Sequence, residues 1–286
     1  MQYRLPPILA VIAFIIAMGG LFLFLQHFPK SPTLLPDIPT EDSTFYAGIT
    51  TSTPQSFLTN SSSRGIWLPI LVYHIVRPSY PSDNAAVRAI AVTPEIFNTE
   101  MDYLEKAGYH VVRFNNLEAY FMSGTPLPHK PVILSFDDGW SDQFTYAFPI
   151  LEKYHYPATF FVFTNEIGYR GGLTWDNLRE LVASGMTIGD HTRSHPFLTR
   201  ITSTSTLWNE IDGSKLLLER ELNVPINEFA YPFGQYNPTI ISLVKKAGYK
   251  SARGDFYSGK QSLDRLFTLS ALNAPTTTAI FKKDFP

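Results

Sequence analysis

The chain has 286 residues and no cysteine. That excludes disulfides, thiolate metal sites, a cysteine nucleophile and a lipidated-cysteine anchor. Charge is sparse as well. Only 17% of residues are Asp, Glu, Lys or Arg, and 23 basic residues against 25 acidic ones leave a net charge of −2. Without a basic excess to track a phosphate backbone, nucleic acid is not an expected partner. No internal repeat is visible. One stretch lacks charge altogether: residues 5–25 are nearly all apolar, about the length that crosses a bilayer.

Arg4 precedes this stretch, and Lys30, Asp37, Glu41 and Asp42 follow it. This pattern favours an N-terminus inside and the rest outside. The apolar run continues past Met18-Gly19-Gly20 into Leu21-Phe22-Leu23-Phe24-Leu25, beyond the short core of a cleavable signal. Residues 1–28 are therefore expected to be an uncleaved membrane anchor, with a cleaved signal as the alternative. Residues 29–66 are punctuated by Pro29, Pro32, Pro36, Pro39 and Pro54 and close on Asn60-Ser61-Ser62-Ser63. Such a stretch buries too little apolar surface to fold alone and reads as a tether. The expected localisation is membrane-anchored, with the following domain extracytoplasmic.

From residue 67 to 286 the texture is that of one α/β domain. Strand patterns at 70–73, 109–113, 131–136, 158–163, 186–189 and 228–231 alternate with helical patterns at 94–107, 144–154, 174–184, 205–222 and 238–247. This alternation predicts a mainly parallel sheet or barrel. Polar clusters follow three of the strands: Asp137-Asp138-Gly139, His191-Thr192-Arg193-Ser194-His195 and Tyr231-Pro232-Phe233-Gly234. In α/β barrels such strand ends converge on one face. Asp-Gly after a strand is also ordinary turn chemistry, but two imidazoles four residues apart change its meaning. One carboxylate and two imidazoles make a three-ligand site for a divalent metal, and a second carboxylate beside it can serve as a base.

Ser135-Phe136-Asp137-Asp138-Gly139 and His191-Thr192-Arg193-Ser194-His195 resemble the first two motifs of the polysaccharide deacetylase family, the NodB-homology or carbohydrate esterase family 4 domain. Pro69-Ile70-Leu71-Val72-Tyr73-His74 is similar to the opening strand of one branch of that family, and Ala230-Tyr231-Pro232-Phe233-Gly234 resembles the branch that acts on exported poly-β-1,6-N-acetylglucosamine and some related bacterial enzymes. The resemblance spans roughly residues 67–275. It implies a distorted (β/α) barrel and hydrolysis of N-acetyl groups on an N-acetylglucosamine-containing polymer. It also implies that Asp137 is the catalytic base, that Asp138, His191 and His195 hold the metal, and that the Phe233 amide supports the oxyanion. The implied ion is Zn²⁺, with Co²⁺, Ni²⁺ or Fe²⁺ as alternatives.

The third motif departs from the common Arg-Pro-Pro-Tyr-Gly. Ala230 stands where the arginine would orient the base, and Arg253 is the candidate to supply the missing charge. The distal histidine that acts as general acid in commoner members has no counterpart, because no histidine follows His195. His74, Asp255 and a metal-bound water are the candidates, with His74 favoured because it ends the first core strand. Trp140, Tyr231, Pro232 and Arg253 are expected against the substrate, and Trp175 in the packing of its helix. The expected partners are an N-acetylated polysaccharide, the membrane and separate synthesis or export proteins. A silent glycan-binding protein and an amidohydrolase acting on a non-sugar amide are the competing functions.

Overall fold

The structure is a computed structural model, and it describes residues 65–254 and 258–284. The chain divides into two units, 1–59 and 60–286. The first unit, with the expected anchor and most of the tether, lies outside the described residues, as does Asp255. Among the described residues no helix is long and apolar enough to cross a membrane.

Twelve strands are described: β1 (Ile66–Trp67), β2 (Ile70–Tyr73), β3 (Ile75–Val76), β4 (Ala91–Val92), β5 (His110–Val111), β6 (Pro131–Phe136), β7 (Thr159–Val162), β8 (Thr187–Asp190), β9 (Glu228–Ala230), β10 (Ser251–Arg253), β11 (Lys260–Gln261) and β12 (Leu272–Asn273). Eight of them form one curled sheet in the order β10-β9-β8-β7-β6-β2-β12, with β5 paired to the start of β6. Every pairing in this sheet is parallel. The architecture is a half-barrel whose edges are spanned by one late segment. Leu269 bridges to Arg253 of β10, and β12, three residues on, pairs with β2. In the β9–β10 ladder Ala230 and Arg253 are direct partners.

Alternation along each strand sorts side chains to two faces. Ile70, Val72, Ile133, Phe161 and Ala230 pack inside the curl. Leu71, Tyr73, Leu134, Phe136, Phe160, Val162 and Phe229 pack outward against the helices. The helix Pro94–Lys106 follows the Thr93 cap and carries Phe97, Met101 and Leu104 on its buried face. The helix Trp175–Ala183 starts at Thr174, whose side chain and that of Asn177 form a capping box.

Some expectations need correction. Ile66, counted with the tether, pairs with Gln261 in an antiparallel ladder and so lies in the folded unit. The helical pattern at 144–154 is a π-turn, Gln143–Ala147, followed by the helix Phe148–Lys153. Pro149 has no N–H to return to Thr145, and its ring would crowd that carbonyl, so the wider turn falls just before it. The strand expected at 109–113 shrinks to β5, and the helix Phe114–Ser123 was not anticipated.

Candidate active site

The site lies where β2, β6, β8 and β9 run out at their C-terminal ends. Asp137 follows β6, and its N–H bonds to the Tyr73 carbonyl at 2.9 Å, which fixes β6 against β2 at the rim. By alternation Asp137 faces inside the curl with Ile133 and Ser135. It is 3% exposed. The Arg253 guanidinium donates to its Oδ1. Its Oδ2 lies 4.0 Å from His74 Nε2 and 3.9 Å from His191 Nε2. Burial pushes this carboxyl upward, but the charge on Arg253, then His191 and His74, outweighs burial and holds it below its ordinary value.

Asp138 leaves the strand with φ +72°, a turn away from strand alternation, and its carboxylate approaches the same His191 Nε2 as that of Asp137. Its Oδ1 is 3.5 Å from His195 Nε2 and 3.8 Å from His191 Nε2, and its Oδ2 accepts from Trp140 Nε1 at 3.1 Å. Gly139 adopts φ +69°, and a Cβ there would lie 2.9 Å from Val162 Cγ1, so the turn needs glycine.

The imidazoles are held as firmly. His191 Nδ1 is 2.8 Å from the Ala230 carbonyl. A carbonyl only accepts, so Nδ1 carries the proton and Nε2 presents its lone pair. The two Nε2 atoms are 3.1 Å apart. His195 N–H bonds to Thr192 Oγ1, Thr192 N–H to Asp190, and Ser194 donates twice to Glu210. Burial drives the His191 ring down to about 4 and lowers His195 as well, so both are neutral bases at pH 7. Four of the seven described non-glycine residues with positive φ lie here: Asp138, Thr192, His195 and Phe233. Such backbone strain persists where the surroundings over-determine it, commonly at functional sites.

The donor set fits a small divalent cation. One atom each from Asp138, His191 and His195 lie within 4.8 Å of one another. Two nitrogens bound to tetrahedral zinc stand about 3.3 Å apart, close to the spacing seen. One carboxylate and two neutral imidazoles suit zinc and its neighbours in the series.

Phe233, with φ +59° and 40% exposed, stacks on Phe197 at 3.8 Å and meets the His195 ring edge-on at 4.6 Å. Trp140 is half-buried beside Asp138. Three residues expected against substrate are placed elsewhere. Arg253, 1% exposed, is the buried partner of Asp137, with its guanidinium also over the Phe161 ring at 4.6 Å. The Tyr231 ring lies in the core and its hydroxyl donates to the Phe267 carbonyl, and Pro232 is buried too. Apolar alternation along β9 carries Tyr231 outward. Asp190 and Glu210, which brace the histidine loop, were not anticipated. Glu210 lies among the buried positions of the helix Thr204–Leu222, at apolar spacing with Leu207 and Ile211.

Comparison with known proteins agrees with this geometry. A family model described as polysaccharide deacetylase matches residues 124–252. YxkH of Bacillus subtilis (strain 168), named as a polysaccharide deacetylase, is 30% identical over 183 residues, covering 64% of this chain. The match spans 62% of YxkH, just under two thirds of its length. The poly-beta-1,6-N-acetyl-D-glucosamine N-deacetylase of Staphylococcus epidermidis is 29% identical over 203 residues, covering 62% of this chain and 68% of that protein. The Streptococcus pyogenes deacetylase PplD, solved with acetate, superimposes with a TM-score of 0.72 at 27% identity, over 78% of this chain and all of PplD. The matched residues contain both adjoining aspartates and both rim histidines, so in sequence, fold and site this part of the chain is similar to the polysaccharide deacetylase family.

Proposed function

We propose that the protein is a metal-dependent N-deacetylase acting on an N-acetylglucosamine-containing extracellular polysaccharide. The observation that carries this reading is the convergence of Asp137, Asp138, His191, His195 and His74 on one rim. Asp138, His191 and His195 would hold the ion. When bound, it supplies Lewis acidity that polarises an acetamide carbonyl and acidifies water.

The chain's own residues do the rest. Arg253 occupies Asp137 Oδ1 and leaves Oδ2 to take the proton from the attacking water. The Phe233 N–H is the donor proposed for the developing oxyanion. His74 Nε2, 4.0 Å from Oδ2, delivers a proton to the leaving nitrogen as the C–N bond breaks. The products are acetate and a free glucosamine amine. Trp140 and the Phe233–Phe197 stack offer aromatic faces on which a sugar ring can lie.

The name of the staphylococcal relative supports a β-1,6-linked polymer as substrate. The uncharged stretch at residues 5–25 supports a membrane-tethered enzyme outside the cytoplasm. The test is acetate release by the zinc-loaded full-length protein from β-1,6-linked N-acetylglucosamine oligomers, chitin oligomers and peptidoglycan, with Asp137→Asn as the blank. Release from one polymer above the blank names the substrate. Metal binding without release from any of them refutes the reading and favours a glycan-binding protein. His74→Ala with full turnover across pH would remove His74 as the acid.

A further inference from the structure

Gln143 is fully buried, and its Nε2 donates both hydrogens to backbone carbonyls. One bond reaches His74 O at 2.7 Å and the other Asp137 O at 2.6 Å. These are the first residues beyond β2 and β6, where the last described rung between the strands is the Asp137 N–H bond to Tyr73. Past that rung the two chains part, and one side-chain amide spans them. Both partners are acceptors, so the orientation of the amide is unambiguous. Its own Oε1 is buried with no partner among the described residues. The two carbonyls alone therefore set where the amide sits. Gln143 opens the π-turn, whose register holds it under the rim. Turns of this kind recur at functional sites.

We propose that Gln143 is a positioning residue that sets the spacing between His74 and Asp137, the acid and base of the proposed deacetylation, and the assignment rests on that reading. A proton leaves one substituent of the reacting carbon and another arrives at a second substituent of the same carbon. Acid and base must therefore keep a fixed separation, here 4.0 Å between His74 Nε2 and Asp137 Oδ2. Among the described residues the Gln143 amide bonds to the His74 and Asp137 carbonyls and to no side chain of the site. It acts through the backbone that carries the two groups.

The test replaces Gln143 in the full-length protein. Gln143→Met keeps the length and removes both donors. Gln143→Asn keeps the amide but can reach only one carbonyl, and serves if the first variant does not fold. The expected result for Gln143→Met is a fall in kcat of roughly 10- to 100-fold, with KM and zinc affinity changed by less than about threefold. Gln143→Asn should lie between it and the parent. A crystal structure of the variant should show the His74–Asp137 separation opened beyond 4.0 Å. An unchanged kcat overturns the proposal, and so does a loss of kcat matched by an equal loss of zinc binding. If the parent protein releases no acetate, the deacetylase reading fails on its own. The crystallographic separation then decides: widened, it supports the tether, and unchanged, it refutes it.

Discussion

Replacing Glu100 by Gln should remove a large part of the protein's alkaline instability. Glu100 lies on the buried face of the helix Pro94–Lys106 and is wholly buried, with only the Tyr73 hydroxyl bonded to Oε2 at 2.9 Å. Its Oε1 has no partner among the described residues. Burial raises this carboxyl from about 4.5 to about 8, although the Tyr73 hydrogen bond pulls the other way. A carboxyl with a raised folded pKa binds its proton more tightly in the folded state. Its contribution is therefore fully present below about pH 4.5 and is lost as pH rises through about 8. At about 1.4 kcal/mol per pKa unit, the loss amounts to at most about 5 kcal/mol. Gln mimics the protonated acid and does not titrate. Urea unfolding of both proteins at pH 5 and pH 9 measures the difference. They should agree to within about 1 kcal/mol at pH 5, and Glu100→Gln should exceed the parent by a few kcal/mol at pH 9. Asp190 and Glu228, both raised by burial to about 7, carry the same sign but are present in both proteins and cancel. Parallel stabilities at the two pH values would refute the reasoning.

Two further predictions concern the rim. Arg253→Met leaves Asp137 buried without its cation, which should cost about 3–5 kcal/mol in thermal or urea unfolding and abolish acetate release. Arg253→Lys keeps the charge but not the fork and should retain part of both, whereas a cost below about 1 kcal/mol for the Met variant would mean the pair is not needed. Calorimetric zinc titration should show Asp138→Ala losing the metal while Asp137→Asn binds it as the parent does and still fails to turn over. Equal metal loss in both would overturn the division of roles between the two aspartates.

Much of this is legible in the sequence, and the exceptions share a cause. The strand 131–136 and the helix 174–184 carry their own periodicity and caps, so local pattern sufficed. His74 was placed by simple adjacency to a strand end. Arg253 was named for the charge missing at Ala230, and it does pair with Asp137, but its burial was not legible, because a three-residue strand between Gly248 and Gly254 has no usable period. Its inward direction comes from its ladder with Glu228–Ala230, a contact outside the reach of local sequence. Glu100 occupies the same helical face as Phe97, Met101 and Leu104, yet its charge argued for solvent. Tertiary packing overrode that preference. Gln143 gave no sign, since a π-turn is set by the proline after it and by the carbonyls above it.

The pairing of Ala230 with Arg253 has a meaning for how such sites are judged. An alignment compares positions along a chain, and at position 230 it registers a missing guanidinium and a damaged enzyme. The carboxylate compares nothing but distance. Neighbouring strands are about 4.8 Å apart, less than the reach of an arginine side chain, so a cation moved sideways by one strand still arrives at the same oxygen. Inactivity inferred from a lost column is therefore unsafe in a curled parallel sheet until the adjoining rung has been read.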